Sequence, residues 1–167
     1  MEKIKNEAKI NDEVLVNEVR AAIEHRATWM GLICDEAKKA GWDWEAIGRA
    51  AISRCGHFHG INFNEKREDD SVPAFNKAFL TDLGKKLFEM EITNCSEDQL
   101  DVTFHYCALV NAWQKQGFDR ETIKTFCDMA MDGDRGIAAE NGLDFELGKT
   151  IANGDGVCTL CFKKQKK

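Results

Sequence analysis

Proline is nearly absent from this chain: Pro73 is the only one among 167 residues. A layout of modules strung on Pro-rich linkers is thereby excluded. No internal repeat is present, so solenoids and arrays fall away as well. No stretch is long and apolar enough to span a bilayer. The opening Met1-Glu2-Lys3-Ile4-Lys5-Asn6-Glu7-Ala8 has no apolar core of signal-peptide length. A surplus of positive charge is also lacking, because 29 acids face 23 bases for a net charge of −6. That balance argues against nucleic acid or an anionic membrane surface as a partner.

What is there is globular in character, with 43% hydrophobic and 31% charged residues. The length suits one domain over 1–167 with a core of its own. Without an export signal the expected location is the cytoplasm, where thiols stay reduced. Cys34, Cys55, Cys95, Cys107, Cys127, Cys158 and Cys161 then read as core residues, metal ligands or reactive thiols. A disulfide framework is the weaker reading.

Periodicity divides the chain near residue 84. In the helical half, about 1–84, Asn11 can cap a helix with Leu15, Val19, Ala22, Ile23, Trp29, Met30, Ile33 and Ala37 in one stripe. Gly41 stops it. Asp43 can cap a second helix that turns Trp44, Ile47, Ala51, Ile52 and Cys55 inward and runs out near Gly56 or Gly60. The charged stretch 62–70 reads as a solvated loop, and Pro73 opens a short helix carrying Phe75, Phe79 and Leu83.

In the second half, about 85–163, the period falls to two. Phe88, Met90 and Ile92 alternate with polar residues, and Leu100, Val102, Phe104 and Tyr106 do the same after a turn at 94–98. Helices follow over about 108–116 and 120–131, the latter capped by Asp119. Asp132-Gly133-Asp134 reads as a turn that could precede another helical turn. Strand-like segments 143–151 and 157–162 close the chain around Asn153-Gly154-Asp155-Gly156. The fold class expected is α+β: N-terminal helices packed on an antiparallel sheet built from two hairpins, with two helices between them.

Four features of the second half have chemical potential. His105-Tyr106-Cys107 ends a strand just before a helix, where the positive end of the helix dipole favours a thiolate. The plainer reading makes Cys107 a small buried hydrophobe and His105 an exposed strand residue. Cys127 lies on the stripe of Ile123, Phe126 and Ala130, a core position. In Gly133-Asp134-Arg135-Gly136 the arginine could grip a carboxylate and the aspartate act as a base, although a solvated turn would look the same. Cys158-Thr159-Leu160-Cys161 contains C-x-x-C, yet residues three apart in a strand point to opposite faces. Only one of these two thiols is expected to reach an ion, and Cys158 is the better candidate. His57 and His59 fit the C-terminal end of a helix, where the dipole favours histidine.

Taken in order, Phe104-His105-Tyr106-Cys107, Cys127, Gly133-Asp134-Arg135-Gly136 and the closing run from Phe145 to Cys158 resemble the L-2-amino-thiazoline-4-carboxylic acid hydrolase family. The likeness covers about residues 85–163. The closing strand is also similar to the vinyl-4-reductase domain superfamily of small-molecule-binding modules. The first resemblance implies hydrolytic ring opening of a 2-amino-thiazoline-4-carboxylate to a carbamoyl-cysteine. It would make Asp134 the base, Arg135 the carboxylate clamp and His105 an assisting group at the substrate. Cys107, Cys127 and Cys158 could hold a zinc ion with an open position, or Cys107 could attack the ring itself.

Two further readings compete with the enzyme. One is a non-catalytic small-molecule or metal sensor with an apolar cavity lined by the helical half. The other is an interaction protein displaying Trp42, Trp44 or Phe58. A small molecule is the expected partner, and an exposed hairpin edge invites a homodimer.

Overall fold

The computed structural model describes residues 3–166. The helices of the first half are α1 (Val14–Lys39), α2 (Trp44–Lys66), α3 (Val72–Phe79) and α4 (Asp82–Leu87). A hairpin follows, β1 (Met90–Cys95) and β2 (Gln99–Phe104). Then come α5 (Ala108–Lys115), α6 (Arg120–Ala130), α7 (Asp132–Glu140), β3 (Leu143–Leu147) and β4 (Cys158–Lys164). The strands form one antiparallel sheet in the order β1-β2-β4-β3. The α+β class expected from periodicity is the class observed. No helix among the described residues is long and apolar enough to cross a membrane.

The two hairpins join through β2 and β4, where Leu100 pairs with Phe162 and Val102 with Leu160. These four side chains are buried together with Phe75, Trp113 and Phe126. The opposite pleat carries Asp101, Thr103, Thr159 and Cys161, all less buried, so the helices cover one face of the sheet. β1 and β3 are the edges, and β1 is bulged between Ile92 and Asn94, a feature that discourages strand addition.

Local capping fixes most helix starts. Asp43, Ser71, Thr81 and Asp119 each accept a hydrogen bond from a backbone amide in the first turn. Several boundaries differ from expectation: Leu83 lies on α4 and not on the helix of Phe75 and Phe79, and β3 ends at Leu147 and not at residue 151. α1 starts after Glu13 rather than Asn11. α2 continues through Gly56 and Gly60 to Lys66, so His57 and His59 lie within the helix and not at its end. Between the hairpins sit the two expected helices and a third, α7, which begins where Asp132-Gly133-Asp134 was read as a turn.

The inner faces of α1 and α2 also differ. α1 buries Val16, Arg20, Ala27, Gly31 and Cys34, whereas Leu15, Trp29 and Ile33 are 61%, 62% and 64% exposed. α2 buries Gly56 and Gly60 and leaves Ile47 and Phe58 outside. For α2 the cause is close approach to α7. A Cβ on Gly56 would collide with the carbonyl of Gly133, and one on Gly136 would sit 2.8 Å from the Ser53 carbonyl oxygen. Small residues let α2 and α7 touch backbone to backbone, displacing the large apolar side chains to the far side.

The segment before α1 is bound rather than loose. Ile4 is buried, and Asn6 both donates to the carbonyl of Cys107 and accepts from its amide, at 2.8 and 2.9 Å. Arg20, nearly fully buried, donates to the carbonyls of Ile10, Lys86 and Leu87 and pairs with Glu89 at 3.2 Å. Glu89 in turn accepts from the amides of Lys9 and Ile10. It adopts a φ of 50°, a conformation that a non-glycine residue holds only when its surroundings enforce it.

Candidate functional site

Asp134 lies in the first turn of α7 and faces a cavity of about 220 Å³ enclosed by α1, α2, α5, α6 and α7. Met30, Ile52, Leu109 and Ile137 supply most of its apolar wall, Cys55 borders it, and Arg26 enters from α1. Among the described residues, Arg26 is the one basic and Asp134 the one acidic member of that lining. Burial pushes the Asp134 carboxyl up from 3.8 to about 7. Its own amide and the charges of Arg135 and Arg26 pull the other way without prevailing. A carboxyl poised there can exchange a proton with water at neutral pH.

Arg135 is next in sequence but not in space. Successive residues of an α-helix diverge by about 100°, so Arg135 leaves the cavity that Asp134 enters. It pairs with Asp128 at 2.7 Å and with Asp132 at 2.5 Å, and it lies over the Phe145 ring. Arg49 of α2 binds the same two acids and Glu45. The five charges form one network across α2, α6 and α7, in which Arg135 is already engaged.

Cys107 is the N-cap residue of α5, as the helix-start reading requires, but its thiol is not activated. Burial raises its pKa, while the amides of Leu109 and Val110 and the charge of Arg26 offset this in part. Those amides point towards the sulfur without making a full capping hydrogen bond. Cys127 and Cys158 are buried. Burial lifts the Cys127 thiol, with the charges of Cys107 and Cys158 adding to it. Burial likewise holds Cys158 up at about 12, where Cys107 adds and the amide hydrogen bond from Ile151 at 3.3 Å subtracts. The three sulfurs are therefore close enough to feel one another.

They are not placed as a metal site, however. Among the described residues no three Cys, His, Asp or Glu side chains are arranged to hold an ion. Within the C-x-x-C, Cys158 is buried on the inner pleat and Cys161 lies on the outer one beside Asp101. All seven cysteines are free.

His105 stands elsewhere. Its Nε2 is 3.2 Å from Glu91, and it borders an open hollow with Lys9, Lys85 and Glu89. His57 pairs with Glu140 at 2.7 Å. Of the residues read as functional, Asp134 enters the cavity, Cys107 lies within electrostatic reach of its arginine, and Arg135 and His105 point away. Cys127 borders a separate hollow with Arg49, Asp128 and Thr150.

Sequence reasoning missed Arg26, and it expected the helical half to line a cavity only under the sensor alternative. Nothing in a single sequence separates Arg26 from any other arginine on an amphipathic helix. Its significance comes from what the fold sets opposite it.

A search of curated proteins returns no match. The family model described as L-2-amino-thiazoline-4-carboxylic acid hydrolase matches residues 20–162, a span that takes in both walls of the cavity. With nearly all of its length inside that match, the chain belongs to the L-2-amino-thiazoline-4-carboxylic acid hydrolase family.

Proposed function

We propose that this protein hydrolyses a small cyclic, sulfur-containing amidine acid of the 2-amino-thiazoline-4-carboxylate kind, with Asp134 as the base. The observation that carries this reading is a carboxyl near pH 7 in a small, largely apolar cavity with a single cation. The cavity suits one ring and a water molecule, whose share of liquid volume is about 30 Å³. In the reaction, Asp134 removes a proton from water as its oxygen bonds to C2 of the ring. The C2–S bond then breaks, and sulfur leaves as a thiolate that takes up a proton. Addition of one water and loss of one ring bond yield a carbamoyl-cysteine. A cytoplasmic setting fits seven unpaired thiols.

One other reading has support: the apolar lining also suits a binding module without turnover, as in vinyl-4-reductase-type domains. A zinc on Cys107, Cys127 and Cys158 has no such support in their arrangement among the described residues, and metal analysis of the purified protein is its test. Zinc at one per chain, with those three thiols protected, would move the water-activating role to the metal.

Incubation with the thiazoline acid and titration of newly released thiol tests turnover directly. The wild-type protein should release thiol, and Asp134→Asn should slow release by about 10²-fold or more. An undiminished rate in that variant removes Asp134 as the base. Saturable binding with no release of thiol favours the binding module instead.

A further inference from the structure

We propose that Arg26 of α1 is the carboxylate clamp of the cavity and sets its preference for small anionic rings. Three observations carry this. Arg26 lines the cavity with Asp134. Among the described residues no hydrogen bond or ion pair engages it, whereas Arg135, the arginine that the motif suggests, is held by Asp128 and Asp132. Among the described residues the remaining wall, through Met30, Ile52, Leu109 and Ile137, offers an anion no other charge partner.

A carboxylate enters such a wall only with a cation, because an unpaired buried charge is costly. An arginine fork is well shaped to receive its two oxygens. With the carboxylate at Arg26, the ring body meets the apolar wall and its far side is turned towards Asp134. Arg26 has a second effect. Substrate and ionised Asp134 are both negative, so a guanidinium paired with the substrate carboxylate limits their repulsion and keeps the base ionisable when the ring is bound.

The reaction role of Arg26 rests on the hydrolase reading, but its binding role does not, and the test separates them. L-Thiazolidine-4-carboxylate, a ring acid without the amidine carbon, and its methyl ester are titrated into wild-type, Arg26→Gln and Arg26→Lys protein by calorimetry. The acid is expected to bind the wild type, with affinity lowered about 10–100-fold in Arg26→Gln and partly restored in Arg26→Lys. The ester should bind all three proteins weakly and alike. Absence of acid binding to the wild type, equal binding to Arg26→Gln, or equal binding of acid and ester would each overturn the clamp. With the thiazoline acid as substrate, Arg26→Gln should raise KM far more than it lowers kcat and move the acidic limb of the kcat profile upward in pH. A fall in kcat alone would also count against the clamp. Binding that depends on Arg26 in a protein showing no turnover would sink the hydrolase reading and leave the clamp standing. Arg26 is exposed, and circular dichroism checks that the variants are folded.

Discussion

A carboxyl that titrates near neutrality leaves a mark on the fold as well as on the reaction. The raised value at Asp134 means that the folded chain holds the proton more tightly than the unfolded chain. The penalty is absent below the unfolded value of about 3.8, grows as pH rises and is complete once pH passes about 7. Its full size is on the order of 2–4 kcal/mol, reduced by whatever water reaches the cavity mouth. Asp134→Asn should therefore be more thermostable than the wild type at pH 8 and nearly equal to it at pH 4. The lead should widen between those limits in a melting series; a constant gap would contradict a buried, ionising carboxyl. Arg26 from α1 and Cys55 from α2 share the cavity with Asp134, and the charge of Arg135 acts on it from outside that lining. The cysteines give a second residue-level expectation. Cys55 and Cys95 are exposed, whereas burial keeps Cys107, Cys127 and Cys158 protonated. Brief iodoacetamide labelling read by mass spectrometry should mark Cys55 and Cys95 first. Fast labelling of Cys107 would instead revive it as a nucleophile.

At the level of elements, the contact between α2 and α7 decides whether the cavity exists. Gly56 meets the backbone of Gly133, and Gly136 meets the backbone of Ser53 and His57. Backbone cannot turn aside as a flexible side chain can, so a methyl group at Gly56 must push the two helices apart. Gly56→Ala should cost about 1–3 kcal/mol and raise KM, whereas Gly41→Ala, with nothing near its Cβ but a φ of 77°, should leave KM unchanged. Urea melts beside steady-state kinetics check both. This interface also explains what periodicity could not reveal. A helix face made of glycine carries no hydrophobic signal, so on α2 the reading chose the stripe containing Ile47, which is solvent-facing. The strands, by contrast, were legible, because alternation at Leu100 and Val102, and again at Leu160 and Phe162, reports directly on a sheet with one covered face. The helix caps at Asp43 and Asp119 were legible for an equally local reason. The Gly133–Gly136 segment was misread as a turn because its glycines serve close packing rather than chain reversal.

For the whole molecule, the resemblance led to the right family and to one resident of the cavity, Asp134, but not to its surroundings. Two residues adjacent in sequence, Asp134 and Arg135, looked like partners and are parted by the helical turn that carries them. Two residues 108 positions apart, Arg26 and Asp134, share a lining. Pairings of that kind arise only when α1 is laid against α5, which Trp113 secures by donating to the carbonyl of Ala27 at 2.9 Å. The cavity is thus walled on one side by helices preceding residue 84 and on the other by helices following residue 107. All the sulfur and Gly-Asp signatures fall in the latter portion. Neither portion encloses a hollow alone, so a descendant inheriting only the signature-bearing stretch, through gene fission or recombination, would keep its label and lose its vessel.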